Sequence, residues 1–528
     1  MDRREFIRST TLATLGGFAL RGMSSPLFAP LLAAGVEEDR VLVMVQLYGG
    51  NDGLNTVIPL DQYPLLSQFR NNILIPESQV LGLSGSGGAT GLHPSLTGLQ
   101  DLWNDGKLSI VQGVSYPDPS YSHFRATDIW ETGSHSDQVL ESGWVARYLN
   151  NEFPNYPAGF PNATMPDPLA IRVGGPITVG LQNIGVSMGV AINNTDDPLN
   201  LTGNLYVDPI TPDCRGEKLE YVRTVQRQTD QYGDVINAAA VQGCNQSTLY
   251  PTGNEPGAKL AQALKIVAQL ICGGLKTRVY WVSLNGFDTH AQQTDAADHT
   301  VGVHANLLQG VSDSIRAFQD DLHLLNLEDR VIGMTFSEFG RRITSNGSGG
   351  TDHGSAEPIF MFGTQVVPGL LGENPQIDPN TTYNTNLPMQ YDFRSVYASV
   401  LKDWFCISQS EIDQVLMDFY QPLTLVDPAG CLSAGLHELN QGSGNSLLDI
   451  LPNPFTESTT VRFSSTGGRI ILQVFNEEGR TVKILVNRDM TAGTHTITCD
   501  LGNMPAGIYY CRLQNEARQQ VKSMLKVR

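Results

Sequence analysis

A set of carboxylates, imidazoles, arginines and one serine falls at loop positions in this chain, each cluster beside an apolar, β-rich run. Asp288 and His290 follow the run 279–284, and Ser337, Glu338 and Arg341 follow the run 331–336. Asp352 and His353 sit in a glycine-rich loop just before 358–362. Upstream, Asp52 stands in Gly49-Gly50-Asn51-Asp52-Gly53, directly after 40–48 (RVLVMVQLY), and Ser122, His123 and Arg125 precede a helical pattern that contains Ile129 and Trp130. Carboxylates and imidazoles brought together from several loops suit a divalent metal ion. A serine at a helix N-terminus suits a nucleophile, because the helix end favours negative charge. Arginines suit the remaining oxygens of an anionic group through forked donation. Each cluster also has a plain structural reading. Asp52 can belong to an ordinary Asn-Asp-Gly turn, and Ser122 can be a helix cap with His123 packed beside it. Glu338 and Arg341 can be a local ion pair, and Asp352 with His353 a loop brace.

The elements that would position these groups alternate. The segment 40–48 is nearly all apolar, as a buried parallel strand is, and 108–114, 279–284 and 331–336 read the same way. Between them, 92–106 places Leu96, Leu99 and Trp103 at helical spacing and stops at Gly106. Residues 258–272 form a clear amphipathic helix ended by Gly273-Gly274, and 303–325 predict another. Strand followed by helix followed by strand implies a mostly parallel sheet, and ligands of such sheets bind beyond the carboxyl ends of the strands. A further helix is predicted over 392–405. His304 and His323 on the 303–325 helix, and His299 before it, read as surface or packing residues. The stretch from 142 to about 250 is rich in Pro, Gly and Asn, carries one helical pattern near 219–240, and reads as an insertion. Within it Asn194, Asp196 and Asp197 read as an exposed turn, with Ca²⁺ binding the alternative.

With 528 residues the chain has room for more than one domain, and 41% hydrophobic residues supply a sizeable core. There are 34 Lys and Arg against 53 Asp and Glu, a net charge of −19. That balance excludes a phosphate-backbone binder and a simple binder of anionic membranes. Seven cysteines show no zinc-ligand spacing. By proximity Cys214 with Cys244, Cys406 with Cys431, and Cys499 with Cys511 are candidate disulfides, leaving Cys272 unpaired. HExxH is absent, which disfavours a zinc peptidase.

Read in order, GGNDGLNTVIP, GLHPSLTGLQDLW, SHFRATDIWETG, GFDTHAQQ, SEFGRR, GTDHG and DFRSVYASVLKDW resemble the DUF1501 family over roughly 41–431. That family resembles the alkaline phosphatase and sulfatase superfamily. The resemblance implies a three-layer α/β/α alkaline-phosphatase-like core with a mostly parallel sheet. It implies metal ligands at Asp52, Asp288, His290, Glu338, Asp352 and His353. Ser122 is the candidate for the nucleophile position, without a matching motif around it, with His123, Arg125 or Arg341 on the substrate anion. Asp288 and His290 are one residue apart where the superfamily usually has three, and Phe339 stands where it has a histidine. An oxygen-rich set of this kind favours Mg²⁺, Ca²⁺ or Mn²⁺, or a single ion. The expected chemistry is hydrolysis of a phosphate or sulfate ester, with the ion polarising the ester oxygen. The alternative is a non-catalytic surface protein that keeps the fold for binding.

The two ends carry addresses. Arg3-Arg4-Glu5-Phe6-Ile7-Arg8 ahead of a short apolar stretch resembles a twin-arginine export signal, expected over 1–36. The core is expected over 40–432, a linker with Gln441-Gly-Ser-Gly-Asn-Ser446 over 433–446, and a last domain over 447–528. Short alternating runs separated by Glu478-Gly479 and Ala506-Gly507 predict a small all-β sandwich there. Its Pro452-Asn453-Pro454-Phe455 opening, Gly507-Ile508-Tyr509 and basic tail resemble the type IX secretion C-terminal sorting domain. The expected partners are the two export machineries and an anionic ester. The expected location is secreted or outer-surface, with no membrane-spanning segment in the mature chain.

Overall fold

The first described strand, β1 (Val41–Tyr48), is buried on both faces along almost its whole length, so helices must cover the sheet on both sides. A computed structural model describes residues 40–194, 211, 213–431, 446–453, 455–476, 481–514 and 519–527. The expected twin-arginine signal, Asp196 and Asp197, and nearly all of the linker lie outside these residues.

In chain order the core elements after β1 begin with α1 (Tyr63–Arg70), α2 (Thr97–Asn104), β2 (Leu108–Ser115), α3 (His123–Thr132) and α4 (Trp144–Glu152). Next come β3 (Ala170–Val173), β4 (Val190–Ile192), α5 (Cys214–Gln242), α6 (Ala258–Cys272), β5 (Val279–Asn285) and α7 (Val303–Leu324). The last are β6 (Val331–Phe336), β7 (Arg341–Ser345), β8 (Thr351–His353), β9 (Glu357–Phe362), β10 (Gly369–Leu371), β11 (Tyr391–Asp392), α8 (Phe393–Ser399) and α9 (Gln409–Leu416). The main sheet runs β10-β2-β9-β6-β1-β5-β3-β4, with β11 also on β2. β1 pairs in parallel with β5 and β6, and β5 with β3. β9 is antiparallel to both of its neighbours and alone runs against the rest. The sheet is thus mostly parallel, as expected.

One helix group, α6 and α7 with α2 and α5, packs together. Gly98 lies so close to α7 that a Cβ there would come within 2.8 Å of the Ser312 carbonyl oxygen. A second group is built on stacked aromatics: Trp130 of α3 lies against Phe336 and Phe393, and Trp144 of α4 against Tyr397. The helix expected over 392–405 forms as α8 followed by a wide turn of π-helix over Val400–Trp404. Buried Asp321 of α7 accepts from Asn245, the Gln246 and Ser247 amides and Tyr250, tying the segment after α5 to the core.

Cys406 and Cys431 form a disulfide. The other two suggested pairs do not form. Cys214 and Cys244 lie at opposite ends of the 29-residue α5, roughly 40 Å apart at 1.5 Å per residue, far beyond disulfide reach. The Cys244 thiol instead hydrogen-bonds Cys272. Cys499 and Cys511 are buried free thiols.

The C-terminal module consists of β12 (Ser446–Leu451), β13 (Ser458–Phe475), β14 (Thr481–Asp500), β15 (Gly507–Gln514) and β16 (Gln519–Lys526). All five belong to one antiparallel sheet rather than the two stacked sheets of a sandwich. Where short alternating runs are expected, Ser458–Phe475 forms one strand of 18 residues, β13. Gly467 and Gly468, at φ +96° and +92°, divide it into two stretches. Val461 and Phe463 of the first stretch share a core with Leu472 and Val474 of the second. Among the described residues no helix is long and apolar enough to cross a membrane.

Candidate metal centre

Four side chains converge beyond the carboxyl ends of β1 and β5. They are His123 from the start of α3, Asp288 and His290 from the loop after β5, and His353 at the end of β8. Gly49, just past β1 at φ +127°, makes the approach feasible: a Cβ there would lie 2.3 Å from the Asp288 amide nitrogen. Gly350 is equally constrained, with a Cβ position 2.4 Å from the Thr289 carbonyl oxygen.

Each imidazole is oriented by an acceptor on its Nδ1. His123 Nδ1 lies 2.7 Å from Glu338 Oε1, His290 Nδ1 3.0 Å from Asp352 Oδ1, and His353 Nδ1 2.8 Å from the Tyr121 carbonyl oxygen. Carboxylates and carbonyls accept, so each Nδ1 donates and each neutral ring keeps its lone pair on Nε2. Those lone pairs meet. His290 Nε2 is 2.9 Å from His353 Nε2, and Asp288 Oδ1 is 3.2 Å from both. His123 Nε2 is 3.5 Å from Asp288 Oδ2. His123, Asp288 and His353 each offer a ligand atom within 4.8 Å of the others. Electron pairs facing one another without a proton between them are what a shared cation resolves. Imidazoles fixed from behind by carboxylate or carbonyl are the usual surroundings of such an ion. Asp288 is 47% and His290 44% exposed, so the cluster opens to solvent.

The charges around it are balanced. Burial would raise the Asp288 carboxyl, but the hydrogen bond from Arg341 and the neighbouring imidazoles hold it below the usual range. Burial acts likewise on Asp352, yet bonds from Tyr383, His290 and Asn346 bring it down to about 2. The bond to Glu338 raises His123, whereas burial lowers His353.

The residues singled out in the sequence divide accordingly. Asp288, His290 and His353 come together, and His123, expected on the substrate anion, joins them as a donor atom. Glu338 and Asp352, expected as ligands, stand one step behind, each holding an imidazole. Glu338 also accepts from the Gly49 amide. Asp52 is turned away: it is 1% exposed and pairs with Arg70 of α1. Its carboxyl, which burial would raise, is held low by Arg70, His304 and Gln293. Ser122 is the N-cap of α3, but its hydroxyl makes no capping bond.

The two arginines are engaged elsewhere than on an open anion position. Arg125 donates to the carbonyls of His135, Ser136 and Gln138. Buried Arg341 donates to the carbonyls of Gly49, Gly50, Phe287 and Thr351 as well as to Asp288. It is a brace between the loops. His304, expected at the surface or in packing, is buried, with Nε2 3.0 Å from Asn51 Oδ1. Three contributors escaped sequence reading: Arg70, Gln293 and His93. Only His93, in the GLHPS motif, carried a signal, since an imidazole just before a helix start is a polar group needing an explanation.

Comparison with curated proteins finds no match. Several solved structures are similar over most of the chain. A sulfatase from Pseudoalteromonas sp., PsFucS1, is 9% identical with a TM-score of 0.33, covering 88% of this chain and 85% of its own. A protein in the alkaline phosphatase superfamily from Vibrio parahaemolyticus is 11% identical with a TM-score of 0.30, covering 85% and 83%. A protein from Bacteroides thetaiotaomicron described under glycosaminoglycan metabolism is 10% identical with a TM-score of 0.32, covering 84% and 89%. Likenesses this weak carry no argument about chemistry. Residues 449–527 match the secretion system C-terminal sorting domain, so the chain is exported, to be secreted or displayed at the outer surface. Residues 109–416, more than half of the chain, match the model of a protein family of unknown function, and the chain belongs to that family, DUF1501.

Proposed function

We propose that this exported protein is a metal-dependent hydrolase of phosphate or sulfate esters, with one ion held by His123, Asp288, His290 and His353. The observation that carries the reading is the meeting of the imidazole lone pairs on Asp288 while every Nδ1 is tied from behind. Three nitrogens and one oxygen suit Zn²⁺ and its first-row neighbours better than Mg²⁺ or Ca²⁺. This departs from the oxygen-rich set expected from the motifs. Once bound, the ion polarises the ester oxygen and neutralises charge developing on it.

The rest of the chemistry falls to the chain. Glu338 and Asp352 fix the tautomers of His123 and His290. Arg341 locks the Asp288 loop to the end of β1 and to Thr351, so the donor atoms are preorganised. Ser122 offers a hydroxyl not used in capping, at the positive end of α3 and next to His123. We assign it the role of nucleophile, its residue being exposed so that its proton can pass to solvent. Tyr121 and Tyr383, 42% and 49% exposed, flank the cluster through the Tyr121 carbonyl and the Tyr383 hydroxyl bond to Asp352.

The test is metal content by mass spectrometry of the purified chain, beside Asp288→Ala and His353→Ala. It is followed by turnover of aryl phosphates and aryl sulfates with the retained ion. Near-stoichiometric metal lost in both variants, together with turnover that Ser122→Ala abolishes, supports the proposal. A chain that retains no ion after loading with Zn²⁺, Mn²⁺, Mg²⁺ or Ca²⁺ is instead a binding protein that keeps the fold.

A further inference from the structure

A buried polar network lies behind the centre, and the hydrolase reading makes no use of it. Asp52 Oδ2 accepts from Gln293 Nε2 at 2.6 Å and pairs with Arg70, itself wholly buried. Gln293 Oε1 in turn accepts from Thr289 Oγ1 at 3.1 Å and Thr351 Oγ1 at 2.9 Å. Thr289 sits between Asp288 and His290, and Thr351 directly precedes Asp352 and His353. One amide therefore joins both ligand-bearing loops to Asp52.

The family resemblance assigns a metal ion to Asp52, but the groups around it do not fit one. The Ser95 backbone amide donates to His93 Nδ1 at 3.0 Å, and a backbone N–H cannot be reversed. A neutral His93 must then carry its proton on Nε2, which is buried and without a partner. His93 stays neutral, since burial and the nearby His304 push it down to about 3. Arg70 Nε and Nη1 are also buried donors without partners. A divalent ion beside Asp52 would have as its neighbour the Arg70 guanidinium already bound to Asp52 Oδ2, and the two positive charges would repel in a buried site. The carboxylate already has its counter-charge.

We infer that the Arg70 guanidinium takes the place of a second cation at Asp52, so that the chain binds one ion and the Asp52–Arg70 pair acts through Gln293 as a permanent strut for both ligand loops. The ion count rests on the proposed metal centre; the strut does not. A built-in cation cannot be removed by a chelator, so the loops stay set while the ion comes and goes.

The full-length chain loaded with excess Zn²⁺ and desalted is expected to retain one ion. Two ions would overturn the inference. None would overturn the metal centre itself, and the strut is then decided by a second arm. Arg70→Gly leaves Asp52 buried without its partner, and its unfolding midpoint is expected to fall by roughly 5–10 °C. Millimolar guanidinium chloride should restore much of that loss, whereas sodium chloride at equal ionic strength should not. No restoration by guanidinium, or restoration by a divalent ion instead, refutes the strut. If Arg70→Gly does not fold, Gln293→Met keeps the ion pair and removes only the link. Loss of the amide is expected to weaken Zn²⁺ binding about 10- to 100-fold, and unchanged affinity refutes the role.

Discussion

Replacing Glu338 by Gln isolates what a buried charge does for the imidazole in front of it. Glu338 is fully buried. Its Oε1 accepts from the Gly49 amide at 2.9 Å and from His123 Nδ1 at 2.7 Å, and its Oε2 lies 3.3 Å from Ser337 Oγ. Glutamine keeps the shape. Its carbonyl oxygen can still serve both donors, and its new N–H₂ can donate to Ser337 Oγ. What disappears is the negative charge, and with it the extra basicity lent to His123 Nε2. Loss of such an orienting carboxylate is expected to weaken metal binding by about 10- to 100-fold, or ~1.4–2.8 kcal/mol. The pH dependence adds a sign. The bond to Glu338 raises the His123 pKa, so in the parent protons compete with the ion for Nε2 as the pH falls. The variant has less of this competition, and the gap between parent and variant should narrow from pH 8 to pH 6. Competition against a chromogenic chelator at both pH values measures it, with circular dichroism as the control for folding. A variant within twofold of the parent at pH 8 refutes the orienting role.

Other outcomes can be checked in the same preparations. Asp352→Asn removes the carboxylate behind His290 and should cost a similar 10- to 100-fold in affinity, read by the same chelator assay. Arg341→Met leaves Asp288 and four carbonyls without their donor and should lower stability by about 3–5 kcal/mol in urea titrations. Glu131 is buried, and burial lifts its carboxyl to about 7 against an ordinary 4.5. The fold therefore favours its protonated form. That stabilisation is present below about pH 4.5 and is lost as pH rises to about 7, amounting to about 3 kcal/mol, and Glu131→Gln should flatten that slope in denaturant titrations. Removing the Cys406–Cys431 bond, which closes a separation of 25 residues, should cost about 3 kcal/mol under oxidising conditions.

The strands and loops that carry the centre were legible because parallel strands buried on both faces are written as unbroken apolar runs. The segments 41–48, 279–285 and 331–336 behave in that way, and polar residues immediately after them fall at the ligand edge. Side-chain direction was not legible. Asp52 occupies a ligand-like position in sequence, yet a guanidinium from α1 draws it inward, and nothing near Arg70 in the chain announces that pairing. His123 looked like a group for the substrate because its partner Glu338 lies 215 residues away. The reversed direction of β9 was equally hidden, since an apolar run reads the same in either orientation. In the C-terminal module the alternation marked strands correctly. It did not show that Gly467 and Gly468 divide one long strand rather than separate two.

The placement of β1 has a consequence for the order of events during synthesis. Both of its neighbours arrive late: Leu42 pairs with Val279, and Val41 with Val331. The central ladder cannot close until residue 336 has left the ribosome, which at about 5–20 residues per second takes roughly 15–70 s. From its own synthesis until Asn285 is made, roughly 12–47 s at that rate, a strand of eight consecutive residues, VLVMVQLY, has no native partner on either edge. The late closure leaves the nascent chain open to chaperones and targeting factors for tens of seconds. It also makes premature termination anywhere before β6 a source of aggregating fragments.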